Sequence, residues 1–345
     1  MTLTHKALVL PEQFGKFVVA DFPREAPGPG EILIKVQSAA LNPVDWKIQK
    51  WDGLMDGYPA VLGSDIAGDV EEVGEGVKEF KKGDRVFGQG EFRKTRGAFQ
   101  QYVVSSASTT SKIPPKFSYD EASTLPMALT TAYSGLYSKP PNGFGLEAPL
   151  TDAAVGKYSG NPIVIFGGSS SVGQFTIQLA KVSGFSPIIT TASLRHADAL
   201  KDIGCTHVLD RNLSSDALNA EISQITTKPI HHVYDSISSD LTQQIAFDIL
   251  SPGGRIVYVS FPTVKATEEK QINFAYAKLT IPPNTEHMPA FYHDHVYSFI
   301  EKGWITPNNI EVLPNGLAGV IEGLQRLEAD KVSRLKLVAR PQETD

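Results

Sequence analysis

Short apolar and alternating runs dominate roughly the first hundred residues, and the pattern changes character near Ser118. Ala7 to Leu10, Ile32 to Val36, Ala67 to Val73 and Arg85 to Gly88 are broken by Gly, Pro and Asp and predict short strands. In the densest stretch, GSDIAGDVEEVGEGVKEFKKGDRVFG, Gly63, Gly68, Gly74, Gly76 and Gly83 punctuate β-prone segments. Glycine there permits tight turns and close backbone passage, so the pattern predicts a small, strongly curved, barrel-like sheet. From Ser118 the run Tyr-Asp-Glu-Ala-Ser-Thr-Leu-Pro begins a helical stretch that Thr130 to Leu136 continues. The Gly/Pro-rich segment from Pro140 to Pro162 predicts an extended surface loop.

Beyond that loop strands and helices alternate. Strands are predicted at Ile163–Phe166, Pro187–Thr191, His207–Leu209, Val233–Asp235 and Arg255–Ser260, with helices at Val172–Ser183 and His196–Ile203. The alternation argues for an α/β fold with a doubly wound parallel sheet. Elements are mixed from about Met288, and Leu335 to Val338 reads as a last strand returning to the first unit. Two units are therefore expected, one of residues 1–125 with 288–345 and one of residues 126–287. A chain of 345 residues agrees, being long for one core.

Charge and cysteine content narrow the function classes. With a net charge of −6 there is no basic excess to neutralise phosphates, which argues against nucleic-acid binding. The opening Met1-Thr-Leu-Thr-His-Lys-Ala lacks the basic and apolar regions of a secretory signal. No window approaches the roughly 18 consecutive apolar residues of a membrane span. A cytoplasmic protein without membrane partners is expected. Cys205, the one cysteine, cannot form an internal disulfide or a thiolate zinc cluster, and it reads as a small core residue rather than a reactive thiol.

The clearest chemistry lies where Ile163-Val-Ile-Phe166 runs into Gly167-Gly-Ser-Ser-Ser-Val-Gly173 and a helix. This is the strand–turn–helix setting of a dinucleotide fingerprint, with Ser170 at the middle glycine position. Gly167 permits the tight turn and Gly173 lets helix and strand approach. Gly168, Ser169, Ser170, Ser171 and Val172 are the expected pyrophosphate contacts, helped by the helix dipole and by serine hydroxyls. The second strand ends in Thr190-Thr-Ala-Ser193-Leu-Arg195-His196 without the Asp or Glu that binds an NAD ribose. Ser193 and Arg195, with His196 beside them, suit a 2′-phosphate and favour NADPH. The alternative is a helix-capping Ser beside a solvated Arg.

These motifs resemble the medium-chain dehydrogenase/reductase superfamily. GSDIAGDVEEVGEGVKEFKKGDRV is similar to its most specific stretch, and FGGSSSVGQFTIQLAK, IITTAS and the strand ending Leu209-Asp210 resemble its nucleotide domain in order and spacing. The resemblance implies a GroES-like β-barrel-type catalytic domain and a Rossmann domain, matching the two units. Asn42 stands where zinc alcohol dehydrogenases carry a Cys, and Ser64 where they carry a His. The structural-zinc cysteines are absent between Gly88 and Tyr102. A zinc-independent member is implied, with no metal ligands. The Asn-Pro-Val-Asp-Trp-Lys run, the Gly-Gly-Ser-Ser-Ser turn and the loop after Tyr137 resemble fungal enoyl reductases, which include trans-acting partners of polyketide synthases, and alkenal double-bond reductases.

The implied reaction is hydride transfer from NADPH to the β-carbon of an enal, enone or enoyl thioester. Donors would stabilise the enolate oxygen, and a proton would be added at the α-carbon. The resemblance places Val44, Asp45, Trp46 and Lys47 against the cofactor. Lys47 is the first catalytic candidate, against the alternative of a solvated lysine. Thr130 and Thr131 resemble the segment beside the nicotinamide, although both hydroxyls could instead bond back within a helix. Asp45 could equally cap a helix or form an ion pair. Arg211 stands after Leu-Asp, where relatives often have Tyr. Ile237 and Val259, Ser260 and Phe261, at strand ends, are expected to border the cofactor, and Leu335 and Lys336 to close the cleft. The cluster from Glu286 to His295 reads as a substrate-side or surface helix start rather than a metal site. Two alternatives stand beside the ene reductase, an NADPH-dependent quinone oxidoreductase and an inactive NADPH-binding regulatory or structural protein. A polyketide-synthase partner is implied by the resemblance only, and a monomer or homodimer fits the sequence equally.

Overall fold

The computed structural model describes residues 3–51 and 55–345, so Met1 and Thr2 of the opening segment lie outside the described residues. The Gly-punctuated half folds around Glu31–Ala40, which pairs antiparallel with Asp65–Val73 and with Tyr102–Ser106. Register shifts at Leu33/Ile34 and at Val36/Ser38 interrupt the first of these ladders, and such bulges bend the sheet. Arg85–Gln89 and Thr110–Lys112 extend the sheet on one side, Lys336–Ala339 and Ile310–Val312 on the other. Thr4–Leu10 pairs separately with Val18–Pro23 and Ala60–Val61. The predicted last strand does return, since Val338 and Ala339 pair with Ala40 and Ala39.

The second unit is a six-stranded parallel sheet. Its order is His207–Asp210, Ile188–Ala192, Ile163–Phe166, His232–Asp235, Arg255–Tyr258, Gln271–Phe274. Strand order reverses beside Ile163–Phe166, and in open α/β sheets the crevice at that reversal takes ligands. The helix Ser171–Val182 leaves this strand and packs on Pro126–Tyr137, whose twelve residues are all buried. An all-round apolar helix such as Pro126–Tyr137 needs cover on every side and so sits between the units.

Asn284–Ala290 leads into the π-turn Phe291–His295 and the helix Val296–Glu301. Met288, Phe291, Tyr292, Phe299 and Ile305 pack in one core with Ile163, Ile165, Phe175 and Leu179. The same cluster holds Ala67, Phe87, Ile113 and Phe117, so the residues from Met288 to Ile305 pack against elements of both halves. The chain rejoins the first sheet at Ile310. The stretch 140–162 holds neither strand nor helix, yet Phe144 and Ala154 anchor it in the interior. Cys205 is buried, donates to the His207 carbonyl oxygen at 3.0 Å, and has its thiol pushed up to about 11 by burial. Among the described residues no helix is long and apolar enough to cross a membrane.

Candidate active site

The phosphate turn sits at the strand-order reversal. Gly167 has φ 69°, and a Cβ there would meet Ile237 Cδ1 at 2.4 Å. A Cβ on Gly173 would lie 2.2 Å from the Gly167 carbonyl oxygen, so only glycine lets the helix start against the strand end. Gly168 is buried over Thr190, while Ser169, Ser170, Ser171 and Val172 are half-buried along the turn. Ser170 is the N-cap: its Oγ accepts from Gly173 N at 3.0 Å and donates to Ser236 Oγ at 3.1 Å. That hydroxyl holds the turn at the positive end of the helix dipole.

At the rim, after Ile188–Ala192, His196 Nε2 accepts from Arg195 Nε at 3.2 Å and lies 3.0 Å from Ser333 Oγ. Burial, then the positive charges of Arg195, Arg334 and Arg211, holds the imidazole below its ordinary pKa. Among the described residues none of these three arginines is ion-paired with a carboxylate, and Arg334 Nε is buried without a hydrogen-bond partner. Arg334 also adopts φ 54°, a left-handed conformation uncommon for a side chain of its size. Ser193 is half-buried at the start of this turn. The charges of three guanidinium groups thus act on one imidazole, none of them ion-paired among the described residues, a setting that would suit an anion.

Between the units lies a buried polar network. Lys336 Nζ donates to Asp65 Oδ2 at 2.9 Å and to Asn42 Oδ1 at 2.6 Å, and Asn42 Nδ2 donates to Asp65 Oδ2 at 2.9 Å. Asp65 Oδ1 accepts from Met127 N at 2.7 Å. The Lys336 ammonium, expected to close the cleft, is instead spent on these partners, with the side chain 4% exposed. Leu335, next to it, is exposed.

Asp45 Oδ2 accepts from Asn42 N at 2.8 Å, the helix-capping alternative. Its Oδ1 is buried without a partner, and burial, reinforced by the charge of Asp65, pushes the carboxyl up to about 7. Val44 and Trp46 are half-buried against the first unit's core, with the indole N–H of Trp46 buried and unpartnered. Lys47 is half-buried, its ammonium 5.4 Å from the Trp51 ring centre and 5.8 Å from that of Trp46. Burial lowers its pKa, and the charge of Asp330 opposes the shift.

Thr130 Oγ1 pairs with Tyr292 OH at 2.8 Å, and Thr131 Oγ1 donates back to Met127 O at 2.7 Å, so both hydroxyls have partners inside the protein. On the nucleotide side Asp235 Oδ1 accepts from Ile237 N and Ser238 N and fixes the turn that lays the half-exposed Ile237 against Gly167. Val259 and Ser260 are half-buried, and the exposed Phe261 stacks on Phe274 with centroids 5.3 Å apart.

Sequence reasoning named one arginine of the anion site as its 2′-phosphate partner, and it missed Arg334 and Ser333 altogether. It also missed Asp65 and Tyr292 as partners of candidate residues. The legible signals were slight: Asp65 within an apolar strand, and a basic pair, Arg334 and Lys336, flanking the last strand's start.

A GroES-like sheet joined to a Rossmann sheet, with a glycine–serine turn at the strand-order reversal, defines a dehydrogenase/reductase scaffold. The comparisons agree. Residues 28–115 match the alcohol dehydrogenase GroES-like domain and residues 171–282 the zinc-binding dehydrogenase domain. A trans-enoyl reductase from Gibberella fujikuroi is 30% identical, covering 96% of this chain and 98% of that one. Trans-enoyl reductase resD from Aspergillus sclerotiorum is 32% identical over 94% of this chain and 96% of its own. The chain belongs to the medium-chain dehydrogenase/reductase superfamily. Dehydrogenase azaJ from Aspergillus niger is 38% identical, but that match spans only 60% of either chain. Among solved structures, the quinone oxidoreductase from Coxiella burnetii is 26% identical with a TM-score of 0.72, covering 97% of this chain and 99% of that one.

The residues do not fit the zinc that the second domain's description implies. At the resembling ligand positions stand the amide of Asn42, already bonded to Asp65 and Lys336, and the hydroxyl of Ser64. Zinc prefers thiolate and imidazole, and here a cation would meet the Lys336 ammonium. They do fit a dinucleotide: the turn offers a cradle that a Cβ would fill, and the rim offers an orphaned guanidinium N–H.

Proposed function

We propose that this chain is an NADPH-dependent reductase of carbon–carbon double bonds conjugated to a carbonyl group. The observation that carries the cofactor choice is the convergence of Arg195, Arg211 and Arg334 on His196, where an NAD site would place a carboxylate. Ser169 to Val172 would hold the pyrophosphate at the helix start, and the arginines the 2′-phosphate. When bound, NADPH supplies a hydride for the substrate's β-carbon.

The protein's own part is to position and to stabilise charge. Lys47 is the donor assigned to the oxygen on which negative charge develops. Its half-buried ammonium lies among tryptophan rings, where low polarity strengthens such a contact. Thr130 and Thr131 shape the wall, their hydroxyls being engaged with Tyr292 and Met127. The α-carbon proton completes the balance, so one hydride and one proton are added across the double bond. The full-length similarity to trans-enoyl reductases supports the substrate class, a small α,β-unsaturated carbonyl compound, free or as a thioester.

The test follows loss of NADPH absorbance with an enal, an enone, an enoyl thioester, a quinone and a saturated ketone, repeated with NADH. Turnover of the conjugated alkenes with NADPH is the expected result. Turnover of the quinone alone would assign the quinone reaction, and tight NADPH binding with no turnover would make the chain a binding protein.

A further inference from the structure

We propose that His196 is a specificity-determining residue for the phosphorylated cofactor: as a neutral ring it holds Arg195, and it takes up a proton when a 2′-phosphate binds. The inference rests on the NADPH reading of the rim and adds a mechanism to it.

The geometry sets the protonation state. Arginine Nε can only donate, so at 3.2 Å from it His196 Nε2 must accept, which leaves the ring neutral with its proton on Nδ1. With that tautomer Ser333 Oγ, 3.0 Å from the same nitrogen, can only donate to it; it can accept only once Nε2 carries a proton. Ser333 and Arg334 arrive on the segment that returns to the first unit, while Arg195 and His196 follow the second strand of the nucleotide sheet, so this contact spans the cleft.

The charged groups acting on the ring from each element around it are cations: Arg195 on its own turn, Arg211 after His207–Asp210, and Arg334 on the returning segment. The nearest carboxylates in sequence do not offset them. Asp210 accepts from Asn212, and Asp198 makes no ion pair among the described residues. A dianionic phosphate where these groups converge would reverse the field. It draws Arg195 from the imidazole, and Nε2, now protonated from solvent, becomes a donor to Ser333 Oγ or to a phosphate oxygen. One N–H bond forms at Nε2 as a solvent O–H bond gives up its proton, and the balance is one proton taken up. The 2′-hydroxyl of NADH carries no charge and calls for no proton.

The sign follows. The ring, held below its ordinary pKa, is neutral before binding; wherever the bound phosphate makes it take up a proton, affinity for the phosphate rises as pH falls. The limit for one proton is about tenfold per pH unit. Below about pH 6 the phosphate itself protonates and the trend fades.

Calorimetric titration of 2′,5′-ADP and 5′-AMP, at several pH values from 6.5 to 8.5 and in two buffers of different ionisation heat, tests the inference. The expected result is net proton uptake with 2′,5′-ADP beyond that with 5′-AMP, and a preference for the former that grows severalfold toward pH 6.5. In His196→Gln the growth should vanish. Tighter binding of 2′,5′-ADP with neither proton uptake nor a pH trend would overturn the role of His196 and leave the NADPH reading standing. No preference for 2′,5′-ADP at any pH would overturn both. Should the variant not fold, the proton count on the wild-type chain decides alone.

Discussion

Replacing Lys336 with Met isolates the energetics of the buried network, because Met keeps the apolar stem and removes the ammonium. Asp65 is fully buried and would keep two donors, Asn42 Nδ2 and Met127 N, while Asn42 Oδ1 would lose its 2.6 Å partner. Removing one partner of a buried ion pair typically costs about 3–5 kcal/mol. The two remaining donors place Lys336→Met near the lower end, about 3 kcal/mol. Asp65→Asn leaves the ammonium with amide oxygens only and should cost a similar amount. The double variant strands no charge, and replacing both members of a buried pair is often close to neutral. It should therefore recover most of the loss, giving a coupling energy of at least about 2 kcal/mol. Urea unfolding of the four proteins at pH 7.5 and fixed concentration measures the cycle. Additive single losses, or a Lys336→Met loss below about 1 kcal/mol, would show that the network is not the charged unit described.

Three further outcomes are expected. Arg334→Ala and Arg195→Ala each remove a charge-assisted contact worth about 1.5–3 kcal/mol, so NADPH affinity should fall roughly 10- to 100-fold with little change for NADH; equal losses for both cofactors, measured by fluorescence titration, would remove the 2′-phosphate assignment. Gly173→Ala puts a methyl 2.2 Å from the Gly167 carbonyl oxygen and should cost about 1–3 kcal/mol in urea unfolding while weakening NADPH binding. Asp45, raised from 3.8 to about 7, holds a proton in the folded chain that the unfolded chain releases. Its stabilisation is complete below about pH 4 and is lost as pH rises through about 7, up to roughly 4 kcal/mol. Asp45→Asn should flatten that part of the stability–pH profile, and superimposable profiles would refute the assignment.

The parallel sheet was legible because its inner strands are short apolar runs bounded by turn residues. Ile163–Phe166 is identical in sequence reading and structure, and His207–Asp210 and His232–Asp235 differ by one residue at an end. The helix Ser215–Ile225 escaped because it buries only Leu218 and Ile222, a stripe too narrow to stand out from its polar surroundings. Gln271–Phe274 escaped as a four-residue edge strand. The site divides in the same way. The phosphate turn is local and announces itself within seven residues. The Lys336–Asn42 bond joins positions 294 apart, and nothing periodic in the chain encodes that meeting. Arg334 was hidden for a similar reason, since His196, on which its charge acts, lies more than a hundred residues earlier.

That long-range network links the elements that carry the separate candidate residues. Asn42 heads the helix that carries Lys47, and Asp65 grips Met127 N three residues before Thr130. Lys336 lies two residues beyond Arg334 on the returning strand. One buried carboxylate therefore ties together the lysine helix, the threonine helix and the segment that brings an arginine to the phosphate rim. A buried ion pair adds little net stability compared with a well-packed apolar cluster, but it penalises every arrangement in which its partners are apart. The charge at Asp65 thus acts chiefly on register: a slip of the returning strand would separate Lys336 from Asp65 and withdraw Arg334 from Arg195 and Arg211. If the proposed function holds, cofactor discrimination by Arg195 and Arg334 and the placement of Lys47 as donor depend on the same three side chains, although neither group contains them.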